Sequence, residues 1–120
     1  VAAAAAIATI EVIQEEGLVQ NAEVMGKRLW DNLHALKKDY PEMADVRGKG
    51  LMVGVEMRRG DCPDGERAGK ILKECEKRGL LMLRCGPYQE IVRWLPPLIV
   101  NQHQIDEATG IFEEALKATA

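Results

Sequence analysis

Residues 91–97 read IVRWLPP, a short β-branched and aromatic run closed by two prolines. Such a run folds as a strand and little else. Alternation on the pleat puts Ile91, Arg93 and Leu95 on one face and Val92 and Trp94 on the other. Pro96 and Pro97 then end the pairing, because proline gives no N–H to a ladder. Arg93 is the constraint. A guanidinium cannot shed its charge in a protein, and taking it out of water unpaired costs several kcal/mol. Arg93 points to solvent, pairs with an acid such as Glu56, or holds an anionic ligand.

The flanking patterns place this strand in a mixed fold. The alanine-rich residues 1–16 predict a helix, with Gly17 free to take the left-handed position after it. No Ser, Thr, Asp or Asn precedes its first turn to cap the orphan N–H groups. An uncapped start is expected where a chain has been cut inside a longer protein. Residues 20–40 predict a second helix, since Ala22, Met25, Leu29, Leu33, Leu36 and Tyr40 share one face. Its charges fall mostly on the other face, which reads as solvated, and Pro41 ends it. VRGKGLMVGVEM (46–57) reads as a glycine turn feeding a buried strand. Gly48 and Gly50 allow positive φ or a close backbone approach.

A polar loop over 58–66 leads into a helix over 65–78, with Ala68, Ile71, Leu72 and Cys75 inward and Gly79 as terminator. LLMLR (80–84) predicts a second strand, CGPYQE a loop, and 91–95 the third strand. Asn101 and Gln104 have the spacing of an N-cap and its capping-box partner. Ile105, Ala108, Phe112, Ala115 and Leu116 form the stripe of a last helix. The order α–α–β–α–β–β–α lacks a regular βαβ series. It predicts one α+β two-layer domain over 1–120, a small mainly antiparallel sheet with helices packed on one face. The other face of the sheet and the first helix are left wanting a partner.

Composition narrows the function classes. At 120 residues the chain suits a single core. A net charge of −3 speaks against nucleic acid or an anionic membrane as the main partner. No apolar run is long enough to span a bilayer, and VAAAAAIATI lacks the basic leader of a signal peptide. Cys62, Cys75 and Cys85 are odd in number and form no CxxC, which fits a reducing compartment. His34 and His103 lie far from them in sequence, so no metal site is expected. No Ser/His/Asp set, HExxH or catalytic carboxylate pair can be assembled, and Arg93 is the one candidate site residue; a free-standing α+β module that binds a partner or a small anion at Arg93, without catalysis, is one reading open to such a chain.

Three segments together resemble a known family: AAAAIATIEVIQEEGLVQNAEVMGKRLWDNL, VRGKGLMVGVEM, and GLLMLRCGPYQEIVRWLPPLIVNQHQIDEA. In this order they are similar to the C-terminal small domain of class III (ω-amino-acid type) pyridoxal-phosphate-dependent aminotransferases of fold type I. The CGPY form of the third segment is most similar to 4-aminobutyrate aminotransferases. The resemblance implies a parent enzyme that moves an amino group from an ω-amino acid to 2-oxoglutarate. It implies pyridoxal phosphate held by a large domain preceding Val1, with no cofactor and no catalytic residue in this chain, which is then inactive alone. Arg93 matches the arginine that binds the substrate carboxylate. A homodimer in the cytoplasm, with the parent's own large domain as a further partner, is also implied. Glu90 departs from the family's usual asparagine; since it precedes the strand, little effect on Arg93 is expected.

Overall fold

Gly50 sits at a reversal rather than at the entrance to a single strand. In the computed structural model, which describes all of residues 1–120, Met43–Lys49 (β1) pairs antiparallel with Met52–Arg59 (β2). The expected turn and strand is thus a complete hairpin. Its first strand escaped the sequence reading because the register slips between Met43 and Asp45. Such a bulge breaks the two-residue alternation that marks a strand. The loop expected from 58 is likewise shorter, for β2 runs to Arg59 and pairs with a two-residue strand, Cys62–Pro63 (β3).

The remaining elements follow the expected order with shifted ends. Helices Ala2–Glu15 (α1) and Leu18–Asp39 (α2) meet at Gly17, which is left-handed at φ 61°. Gly65–Lys77 (α3) is capped by the Asp64 side chain, which accepts from the Arg67 N–H. Strand Leu83–Cys85 (β4) starts three residues later than LLMLR suggested, and Ile91–Trp94 (β5) pairs with both β4 and β2. Gln102–Ala118 (α4) begins with the expected capping box, Asn101 and Gln104 bonding each other's backbone N–H.

The sheet order is β1-β2-β5-β4, and every pairing is antiparallel. Val53, Val55 and Met57 of β2 and Val92 and Trp94 of β5 point to one side. There they meet Leu29 and Leu33 of α2, Ile71 and Cys75 of α3, and Phe112 of α4 in one core. Trp94 packs edge-on against Phe112, with ring centroids 5.3 Å apart. This is the expected α+β two-layer domain. Helix α1 has no buried residue, and no helix is long and apolar enough to cross a membrane.

Candidate functional site

Arg93 lies on the face of the sheet opposite the helices, and it is exposed. Its neighbours there follow from the register. Gly54 of β2 stands opposite on one side and Leu83 of β4 on the other. Beyond Gly54, in the same row, comes Arg47 of β1. Gly54 itself places no side chain beside Arg93, and the Ile91 side chain leans over that position.

The acids of this face are already taken. Glu56 accepts from Arg47 at 2.7 Å and from Arg58 at 2.6 Å, and Arg47 also donates to Asp45 at 2.8 Å. The Arg47 and Arg58 hydrogen bonds hold the Glu56 carboxyl below its ordinary range, and Arg47 does the same for Asp45. Pairing of Arg93 with Glu56 is therefore not realised. Across the β2–β5 ladder Glu56 faces Ile91, while Arg93 faces Gly54. Of the three fates open to Arg93, the internal ion pair falls away.

Two contacts fix the ends of the Arg93 strand. Past the prolines, the Asn21 side chain of α2 donates to the carbonyls of Leu98 at 2.6 Å and Val100 at 3.0 Å. Before the strand, Glu90 is buried and its carboxylate accepts the Tyr88 N–H at 2.9 Å. A Cβ at Gly86 would fall against that carboxylate, so the loop is wrapped closely around Glu90. Nothing in the sequence marked Glu90 as buried or Asn21 as a clamp, because both roles depend on long-range packing.

Where β4 and β5 part, a cavity of about 470 Å³ opens. Strand β4 begins at Leu83, opposite Arg93, so residues 80–82 leave β5 just as the prolines turn it away. The cavity is lined by residues 80–83, by Arg93 to Pro97, and by Val100 and α4 residues Gln104, Ile105 and Ala108. Arg93 is its one charged residue. The buried Nε1 of Trp94, on the same wall, has no hydrogen-bond partner.

The other polar candidates do not join this site. Cys75 is a core thiol, raised by burial to about 11, Cys62 is exposed, and no three metal-ligating side chains converge. His34 stacks on Trp30 along α2, and His103 stands in solvent on the first turn of α4. No lysine lines the cavity, so this stretch offers no amine there to a cofactor aldehyde.

A sheet bearing an unpaired arginine beside an apolar cleft can grip an anion that carries an apolar body. Comparison with known proteins supplies the family. Residues 1–116 match the model of aminotransferase class-III, and the chain belongs to that family. It is 35% identical to the 5-aminovalerate aminotransferase DavT of Pseudomonas putida, over 100% of this chain and 29% of that protein. It is 38% identical to an alanine/serine racemase of Pyrococcus horikoshii, over 99% of this chain and 25% of that protein. The 4-aminobutyrate aminotransferase GabT of Escherichia coli is 35% identical, over 95% of this chain and 28% of that protein. Among solved structures, the lysine aminotransferase of M. tuberculosis in its internal aldimine form superposes with a TM-score of 0.83 at 30% identity. That match covers 93% of this chain and 24% of the other. The chain thus spans only 25–29% of the length of these curated relatives.

Proposed function

We propose that this chain is the C-terminal small domain of a pyridoxal-phosphate-dependent aminotransferase, whose parent takes the amino group of an ω-amino acid such as 4-aminobutyrate and delivers it to 2-oxoglutarate. The observation that carries this reading is Arg93, unpaired beside an apolar cleft in a chain of the class-III family. Arg93 binds the substrate carboxylate. Its planar fork offers two parallel N–H donors to the two carboxylate oxygens. Gripping that end fixes where the amine at the other end can reach, which is the positioning part of catalysis. Pyridoxal phosphate supplies the electron sink. The residues of this chain do not fit it, so its phosphate cradle and lysine belong to the remainder of the parent. That remainder is also the partner that covers the outer face of the sheet, in a homodimer. The three unpaired thiols suit the cytoplasm.

The test is kinetic and uses the full-length parent. Arg93→Ala is expected to lower kcat/KM for 4-aminobutyrate by about a hundredfold or more, the scale for removing one half of a charge pair. Arg93→Lys keeps the charge but loses the fork, and it is expected to fall between. Butylamine, which has the chain without the carboxylate, should be nearly indifferent to both changes. Equal losses for both donors would make Arg93 a structural residue.

A second reading is favoured by the racemase relative. In it the parent inverts an amino acid, and Arg93 holds an α-carboxylate. Inversion of alanine or serine by the parent without any oxo acid present would select it.

A further inference from the structure

Strand β5 is held unevenly around Arg93. On the β2 side its pairing runs on to Trp94, which faces Val53, but on the β4 side Arg93 is the last residue paired, opposite Leu83. Beyond Trp94 the chain leaves the sheet. Pro96 and Pro97 have no N–H to give. Within residues 95–100 the one backbone hydrogen bond is the turn from the Val100 N–H to the Pro97 carbonyl. Val100 alone of these residues is buried. The hydrogen bonds that tie the segment to the rest of the chain both come from Asn21, near the start of α2. Its side-chain nitrogen donates to the Leu98 carbonyl at 2.6 Å and to the Val100 carbonyl at 3.0 Å. An amide nitrogen carries two N–H groups, so both are committed to this segment. Val100 anchors its far end in the core, whereas the Leu98 carbonyl, nearer to Arg93, is held by Asn21 alone.

Resting on the reading of Arg93 as the carboxylate clamp, we infer that Asn21 is a positioning residue: by pinning residues 98–100 to α2 it sets the line on which β5 leaves the sheet, and so the aim of Arg93. Helix α2 is a firm reference, since Leu29 and Leu33 seat it in the core. The prolines carry the pin back along the chain. Each fixes its own φ near about −65° and restricts the residue before it, so the link from Leu98 to Leu95 is short and stiff. Arg93 stands on the last rung shared with β4, where the path of the chain just beyond decides how the strand twists. A carboxylate held by two parallel N–H donors needs one orientation of the guanidinium plane. Asn21 bonds the backbone of residues 98–100 and not Arg93 itself, so it acts on the substrate only through the strand.

The test uses the full-length parent. Asn21→Asp keeps the size of the side chain but turns an acceptor on two carbonyls, and Asn21→Ala removes the contact. Both would be made alone and together with Arg93→Ala, with kcat/KM measured for 4-aminobutyrate and for butylamine. Asn21→Asp is expected to lower the 4-aminobutyrate value roughly tenfold, a modest case of misplacing a group that orients the substrate. Butylamine should be nearly unaffected. Asn21→Ala should act in the same direction and stands in should Asn21→Asp fail to fold. With Arg93→Ala already present, neither change should lower 4-aminobutyrate turnover further, because residues that act through one another are not additive. A purely structural role lowers both donors alike, so equal losses refute the positioning role, and so does a parent-like ratio of the two. A loss that persists undiminished beside Arg93→Ala refutes it too, since Asn21 would then act by another route. If Arg93→Ala alone spares 4-aminobutyrate, the clamp reading is what fails, and the role of Asn21 falls with it.

Discussion

At the scale of single residues, the outward aim of Arg93 was legible because a strand alternates with period two and prolines mark its end. The partners of Glu56 were not. They depend on the pairing of β1 with β2, which brings Arg47 across from Gly54 and beside Glu56. Glu56 is the best protected carboxylate of that face, its side chain only 12% exposed, and both arginine hydrogen bonds lower its proton affinity. The folded-state value thus lies below the unfolded one. Its stabilisation is complete above the ordinary glutamate range and is lost as pH falls through the folded value. Glu56→Gln should therefore cost more stability at pH 7 than at pH 3. Because Arg47 and Arg58 are themselves about half exposed, the neutral-pH loss is expected to be about 1 kcal/mol. Urea midpoints of the chain and the variant at the two pH values check this. A difference that stays constant with pH would mean that the ion pairs contribute nothing and the loss is one of packing.

Elements were legible where one periodicity ran unbroken. Helix α4 has its cap and its apolar stripe in register, and both were found as read. β1 was hidden by its bulge, and β4 was misplaced because residues 80–83 are apolar without a break and give no alternation to fix its start. Gly50 shows a different limit. A close backbone approach to something was legible there, but its partner is Gly26 in the middle of α2. A methyl group built on Gly26 would fall on the carbonyl of Gly50, while Gly50 itself is left-handed at φ 55°. The hairpin turn lies directly on the helix, with no room for a side chain between two backbones. Gly26→Ala would favour the isolated helix by roughly 1 kcal/mol, yet overpacking against rigid backbone costs typically 1–3 kcal/mol. The clash is with main-chain atoms and cannot be relieved by a rotamer change, so a net loss is expected. A lowered urea midpoint for Gly26→Ala supports this packing, and a raised one would show that the turn can lift off the helix.

For the molecule as a whole, the sequence showed two surfaces in need of cover, and the structure gives both a shape. The fully buried large side chains lie between the sheet and helices α2 to α4, so the sheet has one covered face. Helix α1 stands apart with Ile7 and Ile10 more than half exposed and no side chain buried. A helix of 14 residues is marginal in water on its own, and α1 packs mainly along α2. Contiguous apolar surface of this kind tends to find a partner. When the 120 residues are produced alone, another copy is the partner at hand. Sedimentation is expected to give a weight-average mass above the 13.3 kDa of one chain, rising with concentration. Replacing Ile7 and Ile10 by glutamate should return the mass toward that of one chain. These positions bury nothing within the chain, so the folded core should melt as before. The outcome that refutes this account is a monomer at high concentration with α1 fully helical, since the helix would then need neither the parent nor a copy to cover it.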